Sequence, residues 1–132
     1  MTDSRIKEIL VDAQTIAVVG ISDKPDRDSG RIALFLKDRG YEVVGVHPSL
    51  ESVFGIPVYK SLDDIPHSID LVDVFLSSDK VASISESILK MNPKYVWYQL
   101  GVRNDEAAEF LTKKGIQVIQ DRCIAIEYRH HF

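Results

Sequence analysis

The chain has 132 residues, 45% of them apolar and 27% charged, with a formal net charge of −4. That length suits one domain with its own core, and the composition is that of a globular chain, not a disordered one. The acidic balance, with no Lys/Arg block longer than two residues, argues against nucleic-acid binding, and the single cysteine, Cys123, excludes an internal disulfide or a multi-cysteine metal site.

No apolar run approaches the roughly 18 residues of a membrane span. The charged N-terminus does not read as a signal peptide, so a cytoplasmic protein without membrane association is expected. One domain, 1–132, is predicted, with an opening helix 1–14, a core 15–122 and a C-terminal tail 123–132.

Asp3 or Ser4 is placed to cap the opening helix, whose Ile6, Ile9, Leu10 and Ala13 share a face. Residues 15–20, an apolar run closing on Gly20, read as a strand covered on both sides. A loop through Pro25 leads to a helix over 30–39 that stops at Gly40, with Ile32, Phe35 and Leu36 inward. The second strand spans 41–46 and ends at His47-Pro48, because proline cannot continue a ladder. Residues 49–69 carry weaker signals: a short strand at Val58-Tyr59 and a brief helical turn over 61–65. A strand over 71–75 precedes a helix that starts at Ser78 or Asp79 and ends at Asn92-Pro93. A strand at 95–98, a helix capped by Asn104 and stopped at Gly115, and a strand at 116–119 complete the core.

This alternation predicts an α/β fold, a single Rossmann-type doubly wound, mostly parallel sheet of about five strands with helices on both faces. Ligands of such sheets lie beyond the carboxyl ends of the strands, where strand order reverses. After the first strand, Gly20, Ile21 and Ser22 form a tight turn. Lys24, Arg27 and Arg31 add local positive charge, and Ser29 and Gly30 open a helix whose free N–H groups suit an anion. The competing reading makes Asp28 or Ser29 a helix cap and leaves the basic side chains solvated. The loop lacks G-x-G-x-x-G, the second strand ends without a ribose-binding carboxylate, and no G-K-S/T follows, so NAD and P-loop nucleotides are disfavoured.

At the other strand ends stand His47 and Pro48, then Phe75, Leu76 and Ser77, then Gln99, whose amide suits a ligand's polar edge, and Gly101, which permits close approach. Asp73, mid-strand, reads as a buried carboxylate bonded to backbone amides, and Trp97 as a core or interface residue. Cys123 beside Arg122 is a candidate nucleophile or thiol partner, or else a small buried filler, and no His–Asp pattern is evident to activate it. His130 and His131 are adjacent, and their side chains are expected to diverge.

Several segments in this order, namely 16–22 with Ser29, Gly40-Tyr41 with Pro48, 58–62 with Ile65-Pro66, 72–75, 97–101, 104–108 and 121–124, make the chain resemble the small bacterial and archaeal CoA-binding-domain proteins. These in turn resemble the CoA-binding domain of the succinyl-CoA synthetase α-subunit. The resemblance implies coenzyme A lying across the strand ends. Its phosphates would meet the Gly20–Ser29 loop, with His47, Pro48 and residues 75–77 on the adenosine side. Two positions depart from the pattern: His47-Pro48-Ser49 replaces Asn-Pro and a basic residue, and Gly30 stands where a bulkier residue is usual. The ligase's catalytic histidine has no counterpart. Three classes stay open: a CoA or acyl-CoA binder without catalysis, a CoA-dependent enzyme using Cys123, and a ligand-free interaction or sensor protein, each as monomer or homodimer.

Overall fold

A computed structural model describes residues 1–132. Helix α1 (Asp3–Asp12) leads into β1 (Thr15–Val19), α2 (Ser29–Asp38) and β2 (Glu42–Val46). A small hairpin of β3 (Ser52–Val53) and β4 (Ile56–Tyr59) follows, then a 3₁₀ turn at Leu62–Asp64 and β5 (Leu71–Val74). Helix α3 (Ser85–Met91), β6 (Tyr95–Tyr98), α4 (Asp105–Lys113), β7 (Gln117–Ile119) and α5 (Ile124–His131) complete the chain.

The strands form one sheet in the order β3-β4-β2-β1-β5-β6-β7. All neighbours are parallel except β3 and β4. Side chains alternate across the central strands, so each strand feeds two cores. Ile16, Val18, Leu71, Tyr95 and Trp97 pack on one face under α1, α2 and α5, through Ile6, Ile9, Ala33, Leu36 and Ile124. Ala17, Val19, Val72, Val74, Val96 and Tyr98 pack on the other under α3 and α4, through Ile88, Ala107 and Leu111. The predicted doubly wound sheet is therefore present, and no helix is long and apolar enough to cross a membrane.

The sheet has seven strands where about five were expected, because the 49–69 region holds a hairpin. Its turn places Phe54 (φ 51°) and Gly55 (φ 81°) both at positive φ. Two-residue hairpin turns need that geometry, but they usually announce it with Asn-Gly or Asp-Gly. The opening helix is capped by Thr2, not Asp3 or Ser4: the Thr2 hydroxyl accepts from the Arg5 N–H at 3.2 Å. Helix α3 starts well after Ser78, preceded by a 3₁₀ stretch over Val81–Ile84. Ser78 is tied elsewhere, its hydroxyl accepting from the Arg103 N–H at 3.0 Å. The tail is an eight-residue helix whose Tyr128 ring meets Phe35 and Tyr41 edge-on at 5.7 and 6.2 Å. The His130 and His131 rings do not diverge; their centroids lie 4.9 Å apart.

Tyr98 offers a test of packing on the α3/α4 face. Its side chain is fully buried, its hydroxyl has no hydrogen-bond partner, and burial pushes the phenol up to about 12. Tyr98→Phe keeps the ring and removes only an unsatisfied polar group, so a gain of about 0.5–1 kcal/mol in urea denaturation at neutral pH is expected. A loss of more than about 1 kcal/mol would show that a bound water satisfies the hydroxyl.

Candidate functional site

The chain runs from β1 outward to β2 on one side and later returns to place β5 on the other, so the sheet's switch point lies between β1 and β5. A cleft of about 720 Å³ opens there, over the carboxyl ends of β1, β2, β5 and β6. That volume is in the range of small-molecule sites.

Its wall on the β1 side is the loop from Gly20 to Ser29. Gly20 adopts φ +84°, and a Cβ there would lie 2.9 Å from the Phe75 carbonyl oxygen, so glycine alone lets the two strand ends meet. Ile21 is fully buried and anchors the loop in the core. The Ser22 hydroxyl accepts from the Lys24 N–H at 3.1 Å, which turns the chain so that Lys24 and Arg27 border the cleft. Neither cation is in an ion pair, whereas Arg31 is held by Asp28 and by the Pro25 carbonyl at 2.6 Å. Asp26 borders the same wall. Ser29, at the first turn of α2, is only 3% exposed, lines the cleft, and its hydroxyl makes no hydrogen bond within the chain.

On the β2 side, the His47 ring accepts at Nδ1 from the Ser49 and Leu50 N–H groups, each at 3.1 Å. That fixes the ring and leaves Nε2 as its free donor. Phe75, Leu76 and Ser77 form the floor next to the switch point. Toward β6 and α5 the lining turns apolar, with Leu100 (66% exposed), Val102, Cys123 and Ile126 (56% exposed).

The structure thus brings together Gly20, Ile21, Ser22, Lys24, Arg27, Ser29, His47, Phe75, Leu76, Ser77 and Gln99 around one cleft. Four expected residues lie off it. Arg31 is turned back onto its own loop. Pro48 is an exposed turn residue, and Gly101 sits in open space with its N–H donated to Asp121 Oδ1 at 2.7 Å. Gly30 is buried beneath the Ser22 carbonyl and the Phe54 ring, which accounts for a residue without a side chain at this position.

Two roles are corrected as well. Gln99 lines the cleft, but its amide is occupied: Nε2 donates to Asp73 Oδ1 at 2.5 Å, and Oε1 accepts from the Ile124 N–H at 3.3 Å. Asp73 meets no backbone amide; Gln99 is its one partner, Oδ2 has none, and complete burial pushes its carboxyl up to about 8. Nor does Asp28 cap α2 through its side chain. Sequence reasoning missed Ile32, Leu100, Val102 and Ile126. The last three are apolar residues in loops or a tail helix, and no periodicity marks them as cleft lining.

Comparisons with known proteins find relatives that match most of the chain. An uncharacterized protein, YneT, of Bacillus subtilis (strain 168) is 38% identical over 125 residues, covering 95% of this chain and 93% of that protein. A hypothetical protein from Pyrococcus horikoshii OT3 superposes with a TM-score of 0.94 at 35% identity, covering 98% of this chain and 92% of the other. The 4-hydroxybutyrate–CoA ligase (ADP-forming) of Nitrosopumilus maritimus (strain SCM1) is 27% identical over 138 residues, spanning 96% of this chain but 19% of the ligase. The family model for the CoA binding domain matches residues 14–129, which include every residue that lines the cleft, and the chain belongs to that family.

Proposed function

We propose that this chain binds coenzyme A or an acyl-CoA in the cleft at the switch point, without catalysis of its own. The observation that carries this reading is the polarity of the cleft. Unpaired Lys24 and Arg27 and the Ser29 hydroxyl, which no group of the chain engages, stand at one end, and Leu100, Val102 and Ile126 at the other. A ligand with a phosphate-rich head and a less polar arm matches that gradient. Charge-assisted bonds hold the head, and area burial holds the arm. The His47 Nε2–H donor on the β2 side suits the adenosine half. The ligase relative acts, by its name, on a CoA substrate, and this chain is similar to a fifth or so of its length. The ligand-free alternative is disfavoured by an open cleft of about 720 Å³, because no side chain fills it.

Calorimetric titration with CoA tests the reading, with dephospho-CoA, NAD and ATP as comparisons. CoA is expected to bind at micromolar concentrations or tighter, and Lys24→Ala to weaken it about five- to tenfold through loss of one charge-assisted phosphate contact. Absence of heat with CoA at millimolar concentration, or equal binding of NAD, would overturn it.

A further inference from the structure

The apolar end of the cleft is built on the end of β6. The Val102 N–H donates to the Gln99 carbonyl at 2.8 Å and closes a turn that carries Leu100. Two further contacts brace this turn. On one side the Gly101 N–H donates to Asp121 Oδ1 at 2.7 Å, and the Asp121 N–H donates to the Val102 carbonyl at 3.2 Å. On the other the Arg103 N–H donates to the Ser78 hydroxyl at 3.0 Å. The start of α5 is fastened to the same strand end: the Arg122 N–H donates to the Tyr98 carbonyl at 3.4 Å, and the Ile124 N–H to Gln99 Oε1 at 3.3 Å. Leu100 and Ile126, both more than half exposed, are therefore held out on fixed backbone over one cleft, with Val102 between the turn and the core. A lone exposed leucine is ordinary on a protein surface. Apolar side chains on braced backbone, at one end of a cleft whose other end carries unpaired Lys24 and Arg27, form part of a binding wall.

We propose that this wall takes the hydrocarbon chain of a thioester, so that the ligand of the cleft is an aliphatic acyl-CoA and not free CoA. The proposal rests on the CoA reading of the cleft and narrows it. The pantetheine arm contains two amides, which need hydrogen-bond partners wherever they leave water. The polar groups at this end are already spent. Gln99 gives Nε2 to Asp73 and takes the Ile124 N–H on Oε1. The N–H groups of Gly101 and Val102 are used inside the turn. What fits against Leu100, Val102 and Ile126 is a group that asks for no hydrogen bond, and in a CoA thioester that group is the chain beyond the sulfur. The phosphate-rich head remains with Lys24 and Arg27, so charge fixes the orientation and apolar contact selects the acyl group. Because the cleft is open, the chain is covered on the protein side only. Each methylene laid on the wall is expected to tighten binding about twofold, half the free energy of complete burial.

The test titrates the full chain with free CoA and with acetyl-, butanoyl- and hexanoyl-CoA in a calorimeter. Affinity is expected to rise about tenfold from acetyl- to hexanoyl-CoA. In the double variant Leu100→Ser, Ile126→Ser the rise should shrink to about threefold or less. Both side chains are exposed, so their replacement leaves the core intact. The rise is read within one variant, so a general weakening of binding does not imitate its loss. Equal affinity for all the thioesters and free CoA, or a rise that the double variant keeps in full, would overturn the proposal. Sedimentation of the same samples covers the rival occupant: a flat series from a dimer that the double variant splits would assign the wall to a second copy and overturn the proposal as well. Binding of free CoA with a flat series removes the acyl chain alone, whereas no binding of CoA or of any thioester removes the reading of the cleft with it.

Discussion

Gly30→Ala is expected to destabilise the fold by about 3 kcal/mol or more and to abolish measurable ligand binding in the cleft. A Cβ built at this position lies 2.2 Å from the Ser22 carbonyl oxygen, 3.0 Å from the Phe54 ring and 3.3 Å from a Val53 methyl. The ring could swing away, since Phe54 is 52% exposed. The carbonyl cannot, because it belongs to backbone fixed on both sides. Ile21 before it is locked in the core, and the Ser22 hydroxyl after it holds the Lys24 N–H. Relief of about 1 Å would have to come from shifting the loop off the head of α2. That movement separates Lys24 from Ser29, two of the groups assigned to the phosphate-rich head. Urea denaturation with parallel CoA titration checks this. An alanine variant within about 1 kcal/mol of the wild type and with unchanged CoA affinity would show that the contact is not rigid.

What the sequence made legible follows the range of the forces involved. Strands β1, β2, β5, β6 and β7 and helices α2 and α4 were readable because each is specified locally, by an apolar run or a 3.6-residue stripe between stop signals. Asn104 is the clearest instance: its side chain accepts from the Ala107 N–H at 3.0 Å, a bond contained in four residues. Of the β3–β4 hairpin only the strand at Val58-Tyr59 was readable; β3 and the turn were not, because the turn sets positive φ on Phe54, a residue that does not favour it. In the cleft, the residues directly after β1 and β5 could be named from topology alone. The roles of Gln99 and Asp73 could not. They meet across 26 positions of sequence, and only the strand register, which sets Val18, Asp73 and Trp97 side by side, shows that the carboxyl is enclosed. Leu100 and Ile126 line the cleft for a similar reason: a β6–α4 loop and the C-terminal helix converge there, and neither segment's own pattern records it.

Asp73 supplies the other large expected effect, a pH dependence of stability that Asp73→Asn removes. The carboxyl is fully buried between Val18 and Trp97 on the neighbouring strands, and no charged group is within its contacts. Desolvation raises it to about 8, opposed only by the Gln99 hydrogen bond. An aspartate in the unfolded chain titrates near 4. Between about pH 4 and pH 8 the native state therefore holds a proton that the unfolded state has released. Stability from this group falls as pH rises through that window and levels off above it, where both states are ionised. The accumulated penalty at pH 8 is on the order of several kcal/mol. Asparagine keeps the acceptor that Gln99 Nε2 uses and cannot ionise, so urea midpoints of the variant should be nearly flat from pH 5 to pH 8 while those of the wild type decline. At pH 8 the variant should be the more stable protein. At pH 5 the order narrows or reverses, because the asparagine amide buries donors without partners. Parallel curves for the two proteins would mean that the carboxyl is ionised throughout, held by a buried water at Oδ2. Because Gln99 links Asp73 to the first N–H of α5, the ionised carboxyl also loads the joint on which Cys123 and Ile126 are carried. Loss of order in that part of the cleft should therefore accompany the wild-type decline and be absent from the variant.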